Sequence, residues 1–448
     1  MVRVSHAVWG AVLGCGLMAA LAVGTVHGVL PALCAVAVSV AAALCGEWAR
    51  GHRRSVFNIT RHYLSIRRAI RAGRRQRDML ERDTLSVRRV QEETLLRRLR
   101  ETKNTRYGLE HQFSSVTDVT DFRKRHPVTT YAHYEELIRH VASGEEKVVV
   151  METPKLTMTS GSSGCSKMLL NTKETNGDYV RGMSVCVDAM EKSFPGTTSV
   201  LQTTLRLVYP SPDRNSEAGL RIVETPFSSE HQLCTSPAAV LQVQNERDAL
   251  YLHLLFALRE RHVGILESRF SCTVYDAFRL LEEHWQELVA DVESGRISSR
   301  LLLDARLRSE LERKMEPDPV RAAELRTAIT TGFEGIATRL WSRLHLIHTI
   351  DSGPQRIYGE NLRQHYCKSV PFYSSLYSAS EGLIGVNLWP LQDSRHYILC
   401  PRSMFFEFLP EQHLDTQHTL DTLRTLLMDE VEEGNNYELI ITNASGLI

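Results

Sequence analysis

From His6 to Gly46 the chain reads HAVWGAVLGCGLMAALAVGTVHGVLPALCAVAVSVAAALCG, without a single Asp, Glu, Lys or Arg. No other feature narrows the possible folds as far. A membrane-spanning helix needs about 20 predominantly apolar residues. This run fits one span with a long apolar margin, or two spans hinged between His27 and Pro31. A cleaved secretory signal has an apolar core of only about 7–15 residues and fits poorly. A buried core helix fits worse at this length.

An Arg-rich segment follows. Ten Arg lie from Arg50 to Arg77 with no acidic residue between them. The positive-inside rule places such a flank in the cytosol, so the rest of the chain is expected there too. Residues 1–50 are therefore read as a membrane anchor, with residues 7–46 in contact with lipid. Residues 51–83 are read as an Arg-rich amphipathic helix or linker, and 84–448 as the main domain. The Arg run either holds anionic lipid headgroups or is a solvated helix face. Nucleic acid is not expected as a partner, because no aromatic pattern or motif accompanies the Arg and the whole chain has a formal net charge of zero.

Nine Cys are scattered without a C-x-x-C pair, which suits a reducing compartment and core thiols. No H-E-x-x-H occurs. In LHLIH, His345 and His348 fall on opposite faces of an expected strand and read as structural or surface residues. The N-x-[ST] matches at Asn58 and Asn443 would go unused on a cytosolic face.

The main domain begins with helical patterns, VQEETLLRRLRETKN and YAHYEELIRHVASGE. KVVVM (147–151) and PKLTM (154–158) have the composition of short strands. SPDRNSEAG (211–219) reads as an exposed loop, and residues 246–342 read as mainly helical. Beyond 343 the segments RLHLIHTI, VPFYSSLY, HYILC, FFEFLP and YELIIT read as strands, with QRIYGENLRQHY as a crossover helix. Strands separated by helices predict an α/β sheet.

Two local constellations carry chemistry. TSGSSGCSK, Thr159 to Lys167, combines two glycines, hydroxyl side chains and a terminal Lys. Small residues let a backbone approach a ligand closely, and a Lys adds a mobile cation, as a polyphosphate requires. Gly/Ser-rich loops also serve as plain connectors. YSASEG (377–382) places Tyr377, Ser380 and Glu381 together. A ring can stack on a purine, a hydroxyl can bond a phosphate oxygen, and a carboxylate can hold Mg²⁺. Alone it reads as an ordinary turn; with the upstream loop it describes an ATP site.

TSGSSGCSK resembles the phosphate-loop motif of the adenylate-forming superfamily, and YSASE resembles that superfamily's Tyr-Gly-x-Thr-Glu motif. More specifically, the chain is similar to the auxin-responsive Gretchen Hagen family of acyl-acid amido synthetases. VQEETLLRRLRETKNTRYGLEHQF, SPAAVLQVQNERDALYLHLLFAL, LYSASEGLIGVNLWP, FFEFLP and GNNYELIITNASGL resemble blocks of that family in its order, across roughly 84–448. The apolar head is closer to the animal members.

The resemblance implies an adenylate-forming, luciferase-like α/β domain with mixed sheets flanked by helices. It implies an ATP- and Mg²⁺-dependent ligase that joins a small carboxylic acid to an amino acid. By position, Ser160, Gly161, Ser162, Ser163, Gly164 and Lys167 would cradle phosphates, and Tyr377 would face adenine. Ser380 would contact the α-phosphate and Glu381 would ligate Mg²⁺, with Lys167 and Ser380 as the catalytic pair. The acyl pocket is expected to draw on the helical region after Ser236.

The loop departs from the plant pattern at Cys165 and Ser166, and Ser378 stands where Gly or Ala is usual. The family's next motif, Tyr-Arg-x-Arg-x-Gly-Asp, and its C-terminal lid with a catalytic Lys would follow Ile448. Residues 1–448 are therefore expected to lack the lid domain and to be incomplete for catalysis, and two functions fit: a ligase anchored in the endoplasmic reticulum or nuclear envelope and facing the cytosol, intact only in a full-length form, or a scaffold that binds nucleotide or a partner without catalysis.

Overall fold

The computed structural model describes residues 56–159, 166–194, 202–209, 214–222, 234–392, 395–413 and 424–444, together with 37, 38 and 41. The expected membrane anchor lies outside these residues apart from those last three. No helix among the described residues is long and apolar enough to cross a membrane.

The Arg-rich segment forms one long helix, α1 (Val56–Thr84). Ile70, Gly73 and Leu80 are buried on one of its faces, the spacing of a helical stripe. Next, α2 (Val87–Thr102) turns Val90, Thr94, Leu95, Arg98 and Leu99 inward. The short helices α3 (Arg106–Glu110) and α4 (Val119–Arg125) start on Thr105 and Asp118, whose side chains accept from Gly108 N and Asp121 N. The helix α5 (Tyr131–Ala142) follows, and Gly144 after it takes φ +100°.

KVVVM is not a strand. Lys147 sits at φ +57°, which breaks an extended run, and the carbonyls of Lys147 and Val148 accept from Arg106 N and Tyr107 N. Its three valines are buried in the core made by α2 to α5, so their apolar character reflects burial rather than a ladder.

The hairpin β1 (Lys155–Met158) and β2 (Met168–Asn171) is antiparallel. It runs directly into α6 (Lys173–Ser193), whose first turn is capped by the Thr172 hydroxyl accepting from Thr175 N. Then come β3 (Thr203–Leu207) and the two-residue strands β4 (Arg214–Asn215) and β5 (Arg221–Ile222). The expected exposed loop therefore carries a small, mostly exposed strand.

The region 246–342 holds α7 (Glu246–Arg259), β6 (Val263–Phe270), α8 (Ser271–Ser294), α9 (Ala305–Glu312), α10 (Pro319–Thr330) and α11 (Ile336–Leu340). The strand β6 corrects the helical reading. VGILESRF carries Glu267, Ser268 and Arg269 where alternation would signal a strand, and pairing on both sides decides its state. Beyond it lie β7 (Leu346–Ile350), α12 (Arg356–Gln364), β8 (Phe372–Tyr373), β9 (Leu376–Ala379), β10 (Gly382–Val386), β11 (Ile398–Leu399), β12 (Phe405–Pro410), β13 (Leu426–Leu427) and β14 (Tyr437–Thr442). These match the strands and crossover helix expected after 343.

The central sheet runs β3-β6-β7-β8, all parallel. Helices between parallel strands must cover a face, and here α7, α8, α10, α11 and α12 bury one side in the largest apolar cluster. Trp341 anchors that cluster, fully buried with its indole N–H donated to Ala257 O at 3.0 Å. The opposite face receives α6, α1 and β10 through Leu346, Tyr373, Cys186, Leu80 and Val386. Three smaller sheets surround this centre, ordered β2-β1-β5-β4, β11-β10-β9 and β13-β12-β14. His348 points into the α6 side of β7 and is buried, whereas His345 precedes the strand and is half-buried.

Candidate active site

The two sequence constellations lie on two hairpins. Thr159 N donates to Lys167 O at 2.9 Å, and Lys167 N donates to Thr159 Oγ1 at 2.9 Å, so these residues close the neck of the β1–β2 hairpin. Ser166 Oγ adds a bond to Thr159 O at 2.6 Å. The neck is tied to α5. Tyr131 donates its hydroxyl to Met168 O at 3.1 Å and accepts from Met168 N at 3.2 Å. The exposed Lys167 ammonium lies 5.2 Å from the centre of the Tyr131 ring, a cation–π contact. Ser160, Gly161, Ser162, Ser163 and Gly164 lie outside the described residues.

Tyr377, Ser380 and Glu381 are brought together by the β9–β10 hairpin. Tyr377 is 45% exposed, with its ring 5.6 Å from that of Tyr397, so an aromatic face remains open at the surface. Ser380 and Glu381 form the half-buried turn. Two residues that the sequence reading did not assign to the site fix this turn. Tyr179, in the second turn of α6, donates its hydroxyl to Ala379 O. Asn443, past the end of β14, donates its amide to Glu381 O at 2.9 Å. Burial raises the Tyr179 phenol, and the charge of Glu381 raises it further while Arg269 opposes. Glu381 and Arg269 thus both lie within electrostatic reach of the Tyr179 hydroxyl. Asn443 is 2% exposed, so its side chain is buried in the fold.

A cleft of ≈ 250 Å³ opens beside this turn. Arg98 and Thr102 of α2, residues 150–152, the first turn of α6 and Asn443 line it. At the N-terminus of α6, Lys173 N donates to Glu152 Oε1 at 2.8 Å and Thr175 N to Thr172 Oγ1, so a carboxylate of the chain itself already occupies the positive end of this helix, and Glu101, Glu152 and Glu174 lie in the cleft lining. Among the described residues no group of three or more His, Cys, Asp or Glu could hold a metal by itself. One carboxylate, Glu381, fits a Mg²⁺ ion bound mainly through phosphates and water better than a protein cage.

Residues 76–372 match the GH3 family N-terminal domain, and residues 397–448 match the GH3 family central domain. Jasmonoyl–L-amino acid synthetase JAR4 of Nicotiana attenuata is 26% identical over 381 residues, covering 80% of this chain and 64% of that protein. Indole-3-acetic acid-amido synthetase GH3.2 of Arabidopsis thaliana is 25% identical over 381 residues, covering 80% and 69%. The solved structure of GH3.15 acyl acid amido synthetase superposes with a TM-score of 0.74 at 26% identity, covering 83% of this chain and 66% of that one. The chain therefore spans 64% and 69% of the lengths of those two relatives.

Proposed function

The chain belongs to the GH3 family, and from that membership we propose that it takes part in ATP-dependent joining of a small carboxylic acid to an amino acid. In this reading a carboxylate oxygen of the acid attacks the α-phosphorus of ATP. The bond to the β-phosphate breaks and pyrophosphate leaves. The amine nitrogen of the amino acid then attacks the acyl carbon, AMP departs with the bonding pair, and the amine proton passes to solvent.

The observation that carries the reading is the convergence of two hairpins on one helix. Lys167 stands at the neck that feeds α6, and the Tyr377–Glu381 turn is bonded to α6 through Tyr179. Lys167 supplies positive charge for phosphates as charge builds on the leaving pyrophosphate. Tyr377 offers a ring for adenine, and Ser380 a hydroxyl toward the α-phosphate. Glu381 would hold Mg²⁺, which supplies Lewis-acid neutralisation of the phosphate oxygens. Acid-dependent exchange of labelled pyrophosphate into ATP, run over a panel of small carboxylic acids, is the expected result. Absence of exchange with every acid, alongside retained nucleotide binding, would favour the non-catalytic scaffold.

A second reading concerns α1. Its outward face exposes Arg61, Arg67, Arg68, Arg71 and Arg75, directly after the apolar stretch 6–46. This charge complements the anionic cytosolic leaflet of a membrane such as the endoplasmic reticulum or nuclear envelope, with the domain facing the cytosol. Each Arg at such a surface contributes about 1 kcal/mol. Reversal of Arg67, Arg68 and Arg71 to Glu should lower sedimentation with phosphatidylserine vesicles by at least about tenfold. Unchanged sedimentation would remove α1 as a lipid contact.

A further inference from the structure

One row of side chains on the central sheet is charged, and the chemistry above makes no use of it. Arg206 on β3 is register-paired with Glu267 on β6, and Glu267 with His348 on β7. Arg206 Nε and Nη2 both donate to Glu267 Oε2, at 3.1 and 3.0 Å. His348 Nε2 lies 2.6 Å from Ser375 Oγ. Its other nitrogen, Nδ1, lies 4.0 Å from Glu267 Oε1.

Alternation along the strands says which face this row occupies. Leu205, Leu266 and Ile347 belong to the cluster on the α7–α8 side. Ile265 and Leu346 belong to the cluster on the α6 side. Glu267 and His348 lie two residues beyond Ile265 and Leu346, so they face α6 as well. Two residues further along β6 is Arg269, whose charge acts on the Tyr179 hydroxyl that holds the Tyr377–Glu381 turn. The row therefore forms a layer between the apolar packing under α6 and the candidate nucleotide corner. The Arg206, Glu267 and His348 side chains are largely buried but keep 15%, 9% and 11% exposure, so none of the three is wholly sealed from solvent.

An apolar row would serve the fold at least as well, because desolvating an Arg–Glu pair offsets most of its attraction. The open feature is the separation between His348 Nδ1 and Glu267 Oε1. It is too long for a hydrogen bond, yet one polar atom can bridge it. With the Nδ1 proton present and Ser375 donating to Nε2, a hydroxyl would accept from His348 and donate to Glu267. An apolar group there would leave both unpaired.

We propose that Glu267 and His348, braced by Arg206 and Ser375, form the far wall of the acid pocket and select small carboxylic acids that carry a hydroxyl group remote from the carboxylate. The inference rests on the acid-activating reading and adds the class of acid. It moves the expected pocket from the helices after Ser236 alone to the strand row β3-β6-β7.

The test uses pairs of acids differing by one hydroxyl, such as hydroxyphenyl and phenyl carboxylates and ω-hydroxy and unsubstituted aliphatic acids. Binding is followed by calorimetry, and exchange is measured in parallel. A site built to hydrogen-bond a hydroxyl rejects its deoxy analogue strongly, so a preference of at least about a hundredfold is expected. His348→Phe should abolish the preference while retaining or improving binding of the deoxy acid. Glu267→Gln should reduce the preference, and provides the measurement if His348→Phe does not fold. Equal binding of both members by the wild type, a preference that survives both variants, or no acid binding would overturn the proposal. Selective binding of hydroxy acids without pyrophosphate exchange would keep this wall and sink the activation chemistry instead.

Discussion

Glu381→Gln is expected to lower acid-dependent ATP–pyrophosphate exchange by about a hundredfold or more while leaving the protein folded. The turn does not depend on that carboxylate for its shape. It is held through backbone carbonyls, Ala379 O by Tyr179 and Glu381 O by Asn443, and by the β9–β10 ladder. Glutamine keeps the size of the side chain and removes only the negative charge that a divalent cation needs. Lys167→Ala should act mainly on the ATP concentration needed, raising it roughly tenfold, because the ammonium is exposed and provides one charged contact. Wild-type exchange in Glu381→Gln, with an unchanged unfolding midpoint, would show that this hairpin is only a turn.

The second large effect is expected on stability, at Arg98→Met. Arg98 is 3% exposed and joins three elements. It donates to Glu174 at the start of α6 and to Ser403 O at 3.0 Å, and lies 3.9 Å from Asp178 Oδ2. Methionine fills much of the same space but leaves Asp178 with Arg181 alone and the half-buried Glu174 with Arg97, a loss at the lower end of about 3–5 kcal/mol. The loss should depend on pH in a definite direction. Burial pushes the Asp178 carboxyl up to about 6, against the pull of Arg181 and Arg98. A carboxyl raised above its unfolded value of about 3.9 favours the folded state at low pH, and that advantage disappears as pH rises through the folded value. Without Arg98 the value rises further. Urea midpoints should therefore differ most between wild type and variant at pH 7.5 and least at pH 5. A pH-independent difference would place the effect in packing rather than charge.

The candidate site was legible where the chemistry is local. Tyr377, Ser380 and Glu381 fall within five consecutive positions, and one hairpin suffices to gather them. The order of the blocks from 84 onward also identified the family, since many separate matches must fail together to mislead. Tyr179 and Asn443 were not legible. Each acts on the turn from far along the chain, and neither stands in a pattern that distinguishes it from an ordinary helical Tyr or strand-end Asn. The strand β6 was hidden for a related reason. Its period is broken by Glu267 and Arg269, the residues that give its α6-side face a polar character, so the feature of greatest interest erased the signal of its own secondary structure. KVVVM erred the other way: β-branched residues reported burial, while Lys147 at φ +57° ruled out a ladder.

The crossing of α1 and α6 has a mechanical consequence. A Cβ at Gly73 would lie 2.2 Å from Ser184 O, so the two helices meet backbone to backbone there. Arg74 and Arg77 reach the buried Asp188 from the same side. A helix of 29 residues is about 44 Å long, and this one is clamped along its C-terminal half. It behaves as a mast rather than a tether. The N-terminal end of α1 and the hairpin corner at the other end of α6 are therefore carried by one rigid pair of helices, and neither can shift without the other.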